Sequence, residues 1–95
     1  MLNIAVLVSG GGTNLQALLD AQAAGTLRSG RITLVVSSKE GAYALTRAQN
    51  AGVETAVLPR VSGETPAAYG ERLISLLRGH DIGLVVLAGF MLILD

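Results

Sequence analysis

The stretch "VSGGGTNLQ" sets three consecutive glycines, a threonine and an asparagine between an aliphatic run and a helix-like repeat of leucines. Glycines let a backbone turn sharply and approach a ligand closely, and the first free N-H groups of a following helix point into the same space with the positive end of its dipole. An anion, most naturally a phosphate, suits such a place. Thr13 and Asn14 add a hydroxyl and an amide that donate to phosphate oxygens without adding charge. The blander possibility is that Thr13 or Asn14 caps the helix and the glycines only fit the turn.

The turn is not a P-loop, since no Gly-Lys-Ser/Thr follows it. Gly10 and Gly12 match two positions of the dinucleotide fingerprint, but Leu15 occupies the third. Glu40, near the end of the second strand, stands where a ribose-binding acid would. A nicotinamide-binding half-domain is therefore a competing class, although an exposed turn glutamate between Lys39 and Gly41 is the simpler account. His80 is the one histidine, and it falls between a helix and the strand after it, at the amino edge of the sheet. There it suits a helix C-terminus and not a ligand crevice. Asp20, Glu54, Glu71 and Asp81 read as solvated surface charge, and no acid, base or nucleophile constellation can be assembled. Arg60 follows the third strand on the same edge as the glycine turn, within possible reach of an anion, though a solvated loop arginine is the plainer reading.

These residues need elements to position them. Leu2 to Val8 has the aliphatic, β-branched character of a strand buried on both faces. Leu15, Leu18 and Leu19 then recur at helical spacing up to a stop at Gly25. "RITLVVSS" is a second strand, Ala42 to Ala51 a helix with Leu45, Ala48 and Ala51 inward and Gly52 as its cap, and "VETAVL" a third strand. Thr65 and Pro66 suit the N-cap and first residue of a third helix whose buried face is Tyr69, Leu73, Leu76 and Leu77. Leu84 to Ala88 is the fourth strand.

Strands alternating with helices imply parallel pairing and right-handed crossovers. The expected fold is thus α/β, a doubly wound Rossmann-like parallel sheet of order 3-2-1-4. Its order reverses between strands 1 and 4, so "GGGTN" and "GFMLIL" border one crevice at the carboxyl ends of the strands.

Composition sets the outer bounds. The 95 residues are 51% hydrophobic and 15% charged with formal net charge +0, which suits one small domain and gives no electrostatic case for nucleic acid or anionic lipid. The absence of Cys removes a thiolate nucleophile and a disulfide framework, and a single His without a carboxylate cluster gives no expectation of a metal. "MLNIAVLV" lacks a basic leader, and the apolar C-terminal run is shorter than the roughly 20 residues a membrane span needs, so a cytoplasmic protein without a membrane partner is expected.

"VSGGGTNLQALLDA" after the first strand, together with "VVLAGFMLIL" at the fourth, resembles the phosphoribosylglycinamide formyltransferase family, folate-dependent enzymes of purine synthesis. The resemblance runs along the whole chain but corresponds to the N-terminal half of such an enzyme. It implies that residues 1–95 are the substrate-phosphate-binding half of a formyltransferase domain, apparently incomplete. It also implies that Gly12, Thr13 and Asn14 hold the phosphate of glycinamide ribonucleotide. Met91, Leu92, Ile93 and Leu94 would then border the pterin of 10-formyltetrahydrofolate, through backbone groups and apolar side chains. Leu92 and Pro66 stand where family members often carry arginines that would meet the folate's glutamate tail. The family's catalytic Asn, His and Asp belong to the second half, so no catalytic residue is expected here.

The related formyltetrahydrofolate hydrolases normally carry a domain ahead of the first strand, and the start at Met1 favours the transferase. A formyltransferase acting on another amine, or a non-enzymatic phosphate- or nucleotide-binding half-domain, are the other readings. With strand 4 as an exposed apolar sheet edge, self-association through that edge is expected.

Overall fold

The computed structural model describes residues 2–8, 13–27, 30–59, 61–87 and 90–93. Element order is β1 (Leu2–Val8), α1 (Thr13–Ala23), β2 (Gly30–Ser37), α2 (Tyr43–Asn50), β3 (Glu54–Val57), α3 (Pro66–Gly79), β4 (Leu84–Leu87) and β5 (Phe90–Ile93). The sheet has the order β3-β2-β1-β4-β5, with β1 to β4 parallel. The expected 3-2-1-4 arrangement is present, and one strand was not anticipated. "FMLI" turns back as β5 and pairs antiparallel with β4, with Leu87 opposite Phe90 and Leu84 opposite Ile93. This corrects the expectation that strand 4 is an edge, because β4 is flanked by β1 and β5. Four apolar residues after "AG" suffice to extend a sheet once a neighbouring strand supplies the ladder.

The core lies on both faces of the sheet. On one face Ile4, Val6, Ile32 and Val35 pack with Leu15 and Leu19 of α1 and with Ala44, Leu45 and Ala48 of α2. On the other, Ala5, Leu34, Val36 and Val85 meet Leu77 of α3, and Leu73 and Leu76 are half-buried beside them. Strand alternation alone would send Ile32 and Leu34 to the same face. A bulge prevents this: the register shifts between Ile4/Ala5, pairing Ile4 with Ile32 but Ala5 with Leu34. Thr33 is the extra residue, and its Oγ1 is buried with no hydrogen-bond partner.

Helix ends follow their local chemistry. Thr65 Oγ1 accepts from the Ala68 amide at 3.1 Å with Pro66 as first helical residue, as the sequence predicts. Gly25 and Gly52 take φ of 77° and 75° just past α1 and α2. In α2 the inward residues are Ala44, Leu45 and Ala48; Ala51, expected inward, is the exposed C-cap. One helical turn beyond Ala48 the chain has already begun to leave the helix, and the Val53 amide bonds back to the Ala48 carbonyl at 2.9 Å.

Candidate functional site at the carboxyl edge of the sheet

β1 ends at Val8 and α1 starts at Thr13. Leu15 and Leu19 are 1% and 5% exposed in the core, and this burial fixes the direction in which the start of α1 points. The first turn of α1 carries no acidic residue, leaving the positive end of the helix dipole uncompensated within the helix. Beside it, β4 pairs with β1 through Leu7 opposite Leu87, which brings the carboxyl ends of both strands together. β5 begins at this edge with Phe90 opposite Leu87 and runs back antiparallel to Ile93 opposite Leu84, the first residue of β4. The topology therefore places the end of β1, the start of α1 and Phe90 at one reversal point, the location where open α/β sheets bind ligands, whereas Leu92 and Ile93, opposite Val85 and Leu84, lie back toward the amino edge.

Of the residues assigned to the phosphate, Thr13 and Asn14 open α1, and Gly12 lies outside the described residues. Of those assigned to the pterin, Met91, Leu92 and Ile93 lie in β5, and Leu94 lies outside the described residues, as does Arg60. Glu40 is exposed in the turn after β2.

Two contributors at this edge were not singled out from the sequence. Arg47 of α2 donates from Nη1 to Gln16 Oε1 at 2.9 Å, in the first turn of α1, and its guanidinium lies 4.7 Å from the centroid of the Tyr43 ring. An arginine in the middle of a predicted helix carries no local signal of what it reaches across helices. The second is Ser37, fully buried at the last position of β2 and directly opposite Val8. Its signal is a serine within an otherwise aliphatic strand, which is visible in sequence but ambiguous.

The segment between β3 and α3 is tied down on the same edge. Tyr69 Oη donates to the Leu58 carbonyl at 2.8 Å, and Arg72 Nη2 donates to the Pro59 carbonyl at 2.9 Å. Arg72 is itself held by Glu64 through Nε at 2.6 Å and Nη2 at 2.7 Å, a bidentate pair whose hydrogen bond raises the guanidinium pKa further above its usual value. Glu64 Oε1 also accepts from the Val61 amide at 3.2 Å.

His80 sits at the opposite edge, as its sequence position predicts, capping α3. Its Nδ1 lies 3.0 Å from the Leu76 carbonyl and its Nε2 2.7 Å from Glu54 Oε2. A carbonyl can only accept, so Nδ1 carries a proton; a second proton on Nε2 then satisfies the carboxylate. Both contacts, the backbone one first, raise the His80 pKa above its ordinary value. Glu54, read from the sequence as solvated, is thus an exposed partner of His80. Among the described residues no group of His, Cys, Asp and Glu could hold a metal ion.

The chain is 43% identical, over 97% of its length, to a phosphoribosylglycinamide formyltransferase of Dictyostelium discoideum. It is 41% identical, over 99% of its length, to the enzyme of the same name from Escherichia coli (strain K12). It spans 48% and 44% of these two relatives. The crystal structure of glycinamide ribonucleotide transformylase 1 from Symbiobacterium toebii superposes with a TM-score of 0.85 at 39% identity, covering 95% of this chain and 42% of that one. Residues 2–95 match the family model described as formyl transferase, and the chain belongs to that family.

Proposed function

We propose that this chain forms the substrate-binding half of a phosphoribosylglycinamide formyltransferase, which moves a formyl group from 10-formyltetrahydrofolate to the amine of glycinamide ribonucleotide. The observation that carries the reading is the placement of Thr13 and Asn14 at the uncompensated start of α1, at the sheet's reversal point, in a chain whose relatives bear that enzyme's name. Gly12, Thr13 and Asn14 hold the ribonucleotide phosphate with backbone amides, a hydroxyl and an amide side chain. The folate co-substrate supplies the formyl carbon. Met91 to Leu94 border its pterin, an uncharged stretch suited to a flat heteroaromatic ring that must leave water; Met91, opposite Val86, is the described member nearest the phosphate edge, because β5 runs away from it. Leu92 and Pro66 bring no charge to the folate's glutamate tail, so the pterin end dominates what this half contributes.

Holding both substrates in one crevice removes much of the entropic cost of their encounter. The donors that polarise the formyl group and the base that takes the amine proton come from the second half of the domain. Residues 1–95 are accordingly a binding half, inactive on its own and acting in the cytoplasm, where folate-linked purine synthesis would supply both small molecules. The names of the relatives favour the transferase over a formyltetrahydrofolate hydrolase.

Calorimetric titration of the chain with glycinamide ribonucleotide tests the phosphate site. Replacing Thr13 by Val and Asn14 by Ala together is expected to abolish binding, and an unchanged affinity removes the site. Binding of NADH that weakens in Glu40→Ala would transfer the turn to the dinucleotide reading.

A further inference from the structure

Arg47 stands in the middle of α2, yet its half-buried side chain does not extend straight out into solvent. Its guanidinium lies 4.7 Å from the centroid of the ring of Tyr43, the first residue of α2. Residues four apart on a helix stand one above the other, so the arginine chain runs back one turn toward the helix start. That start follows the carboxyl end of β2, and the contact therefore draws the cation toward the carboxyl edge of the sheet. A second contact draws it the same way: Nη1 donates to Gln16 Oε1 at 2.9 Å, and Gln16 is in the opening turn of α1.

Gln16 also stands between the cation and the acid of its own helix. Its Nε2 donates to Asp20 Oδ1 at 2.8 Å, one turn further along α1, while its Oε1 faces Arg47. The Tyr43 ring and the Gln16 oxygen are both uncharged, so the two contacts that hold the guanidinium leave its charge intact. The first turn of α1 has no acidic residue, and its free amides already present partial positive charge. A helix rises about 1.5 Å per residue, which puts Gln16 only about 4.5 Å along the axis from Thr13.

We infer that Arg47 supplies a full positive charge to the anion site at the start of α1 and is a specificity-determining residue for the phosphate-bearing substrate. The inference rests on the phosphate reading of that helix start. A cation held within about one Debye length, roughly 10 Å at 0.1 M salt, attracts an anion without touching it. Tyr43 and Gln16 are then the residues that keep this charge at the edge. If Arg47 served only to join α2 to α1, any donor of similar reach would replace it, and its effect on binding would not depend on salt.

The test is calorimetric titration of glycinamide ribonucleotide into the 95-residue chain and two variants, at about 0.02 M and about 0.5 M salt. Arg47→Gln keeps a donor for Gln16 and loses the charge, and Arg47→Lys keeps the charge; both are good helix formers, so α2 is retained. At low salt Arg47→Gln is expected to bind about fivefold more weakly than the parent, and Arg47→Lys within about twofold of it. At high salt the difference between Arg47→Gln and the parent should shrink to less than about twofold. Arg47→Gln within about twofold of the parent at low salt overturns the inference. A difference that salt leaves unchanged, or Arg47→Lys as weak as Arg47→Gln, overturns it too, because either marks a role in packing or bonding and not in charge. A parent that does not bind the ribonucleotide overturns the phosphate reading and the inference with it, whereas a parent that binds beside an unaffected Arg47→Gln removes the inference alone.

Discussion

Gly30 illustrates how one side-chain atom can be excluded by backbone alone. It opens β2 opposite Leu2, and a Cβ added there would stand 2.3 Å from the Leu2 carbonyl oxygen and 3.2 Å from Ile4 Cδ1. A backbone oxygen inside a strand cannot swing aside as a flexible side chain would. Gly30→Ala is therefore expected to destabilise the chain by about 1–3 kcal/mol, measured by urea denaturation, since it forces β1 and β2 apart at their start. A variant as stable as the parent would show that this end of the sheet is looser than described. Gly25 and Gly52 have open space around them and owe their identity to positive φ instead.

Among the elements, α3 is bound to β3 at both ends. Near its start Tyr69 and Arg72 hold the backbone that follows β3, and at its end His80 meets Glu54, the first residue of β3. The second tie depends on pH. The folded-state pKa of His80 is raised above the ordinary imidazole value of 6.5, so its contribution is fully present below that value and is lost as pH rises through the elevated one. With the imidazole 32% and the carboxylate 63% exposed, the pair is worth less than about 1 kcal/mol. Melting temperatures of the parent and of Glu54→Gln should therefore differ more at about pH 6 than at about pH 9. A gap that stays constant over that interval would remove the protonated imidazole from the account.

For the molecule as a whole, the notable correction concerns its edge. Self-association was expected through strand 4, but β4 is interior and β5 is the outermost described strand on that side. Its sequence, "FMLI", is entirely apolar and it is paired on one side by β4. An apolar strand with one unpaired edge templates further pairing, so the 95-residue chain is expected to self-associate with rising concentration. Analytical ultracentrifugation checks this, and a single monomeric species across the accessible concentrations would contradict it. Restoring the remainder of a formyltransferase domain, in a chain of its relatives' length, is expected to suppress the association by covering that edge.

Most of the fold was legible in local patterns. The β-branched runs of β1 and β2, the leucine spacing of α1, the glycines after α1 and α2 and the Thr65-Pro66 start of α3 each have a local physical cause, so composition and spacing reveal them. Alternation of strand and helix then dictates parallel pairing and the 3-2-1-4 order. The rest depends on partners distant in the chain. Whether "FMLI" is a tail or a strand is settled by β4 beside it, and the bulge at Thr33 by which face Ile32 and Leu34 must fill. Glu54 looks solvated until α3 returns His80 to it, 26 residues later. Ser37 looks like an isolated serine until Lys39, Val8 and Leu58 gather around it. Residue type and spacing encode which groups can bond; the packing of strands and helices chooses which of them come within reach.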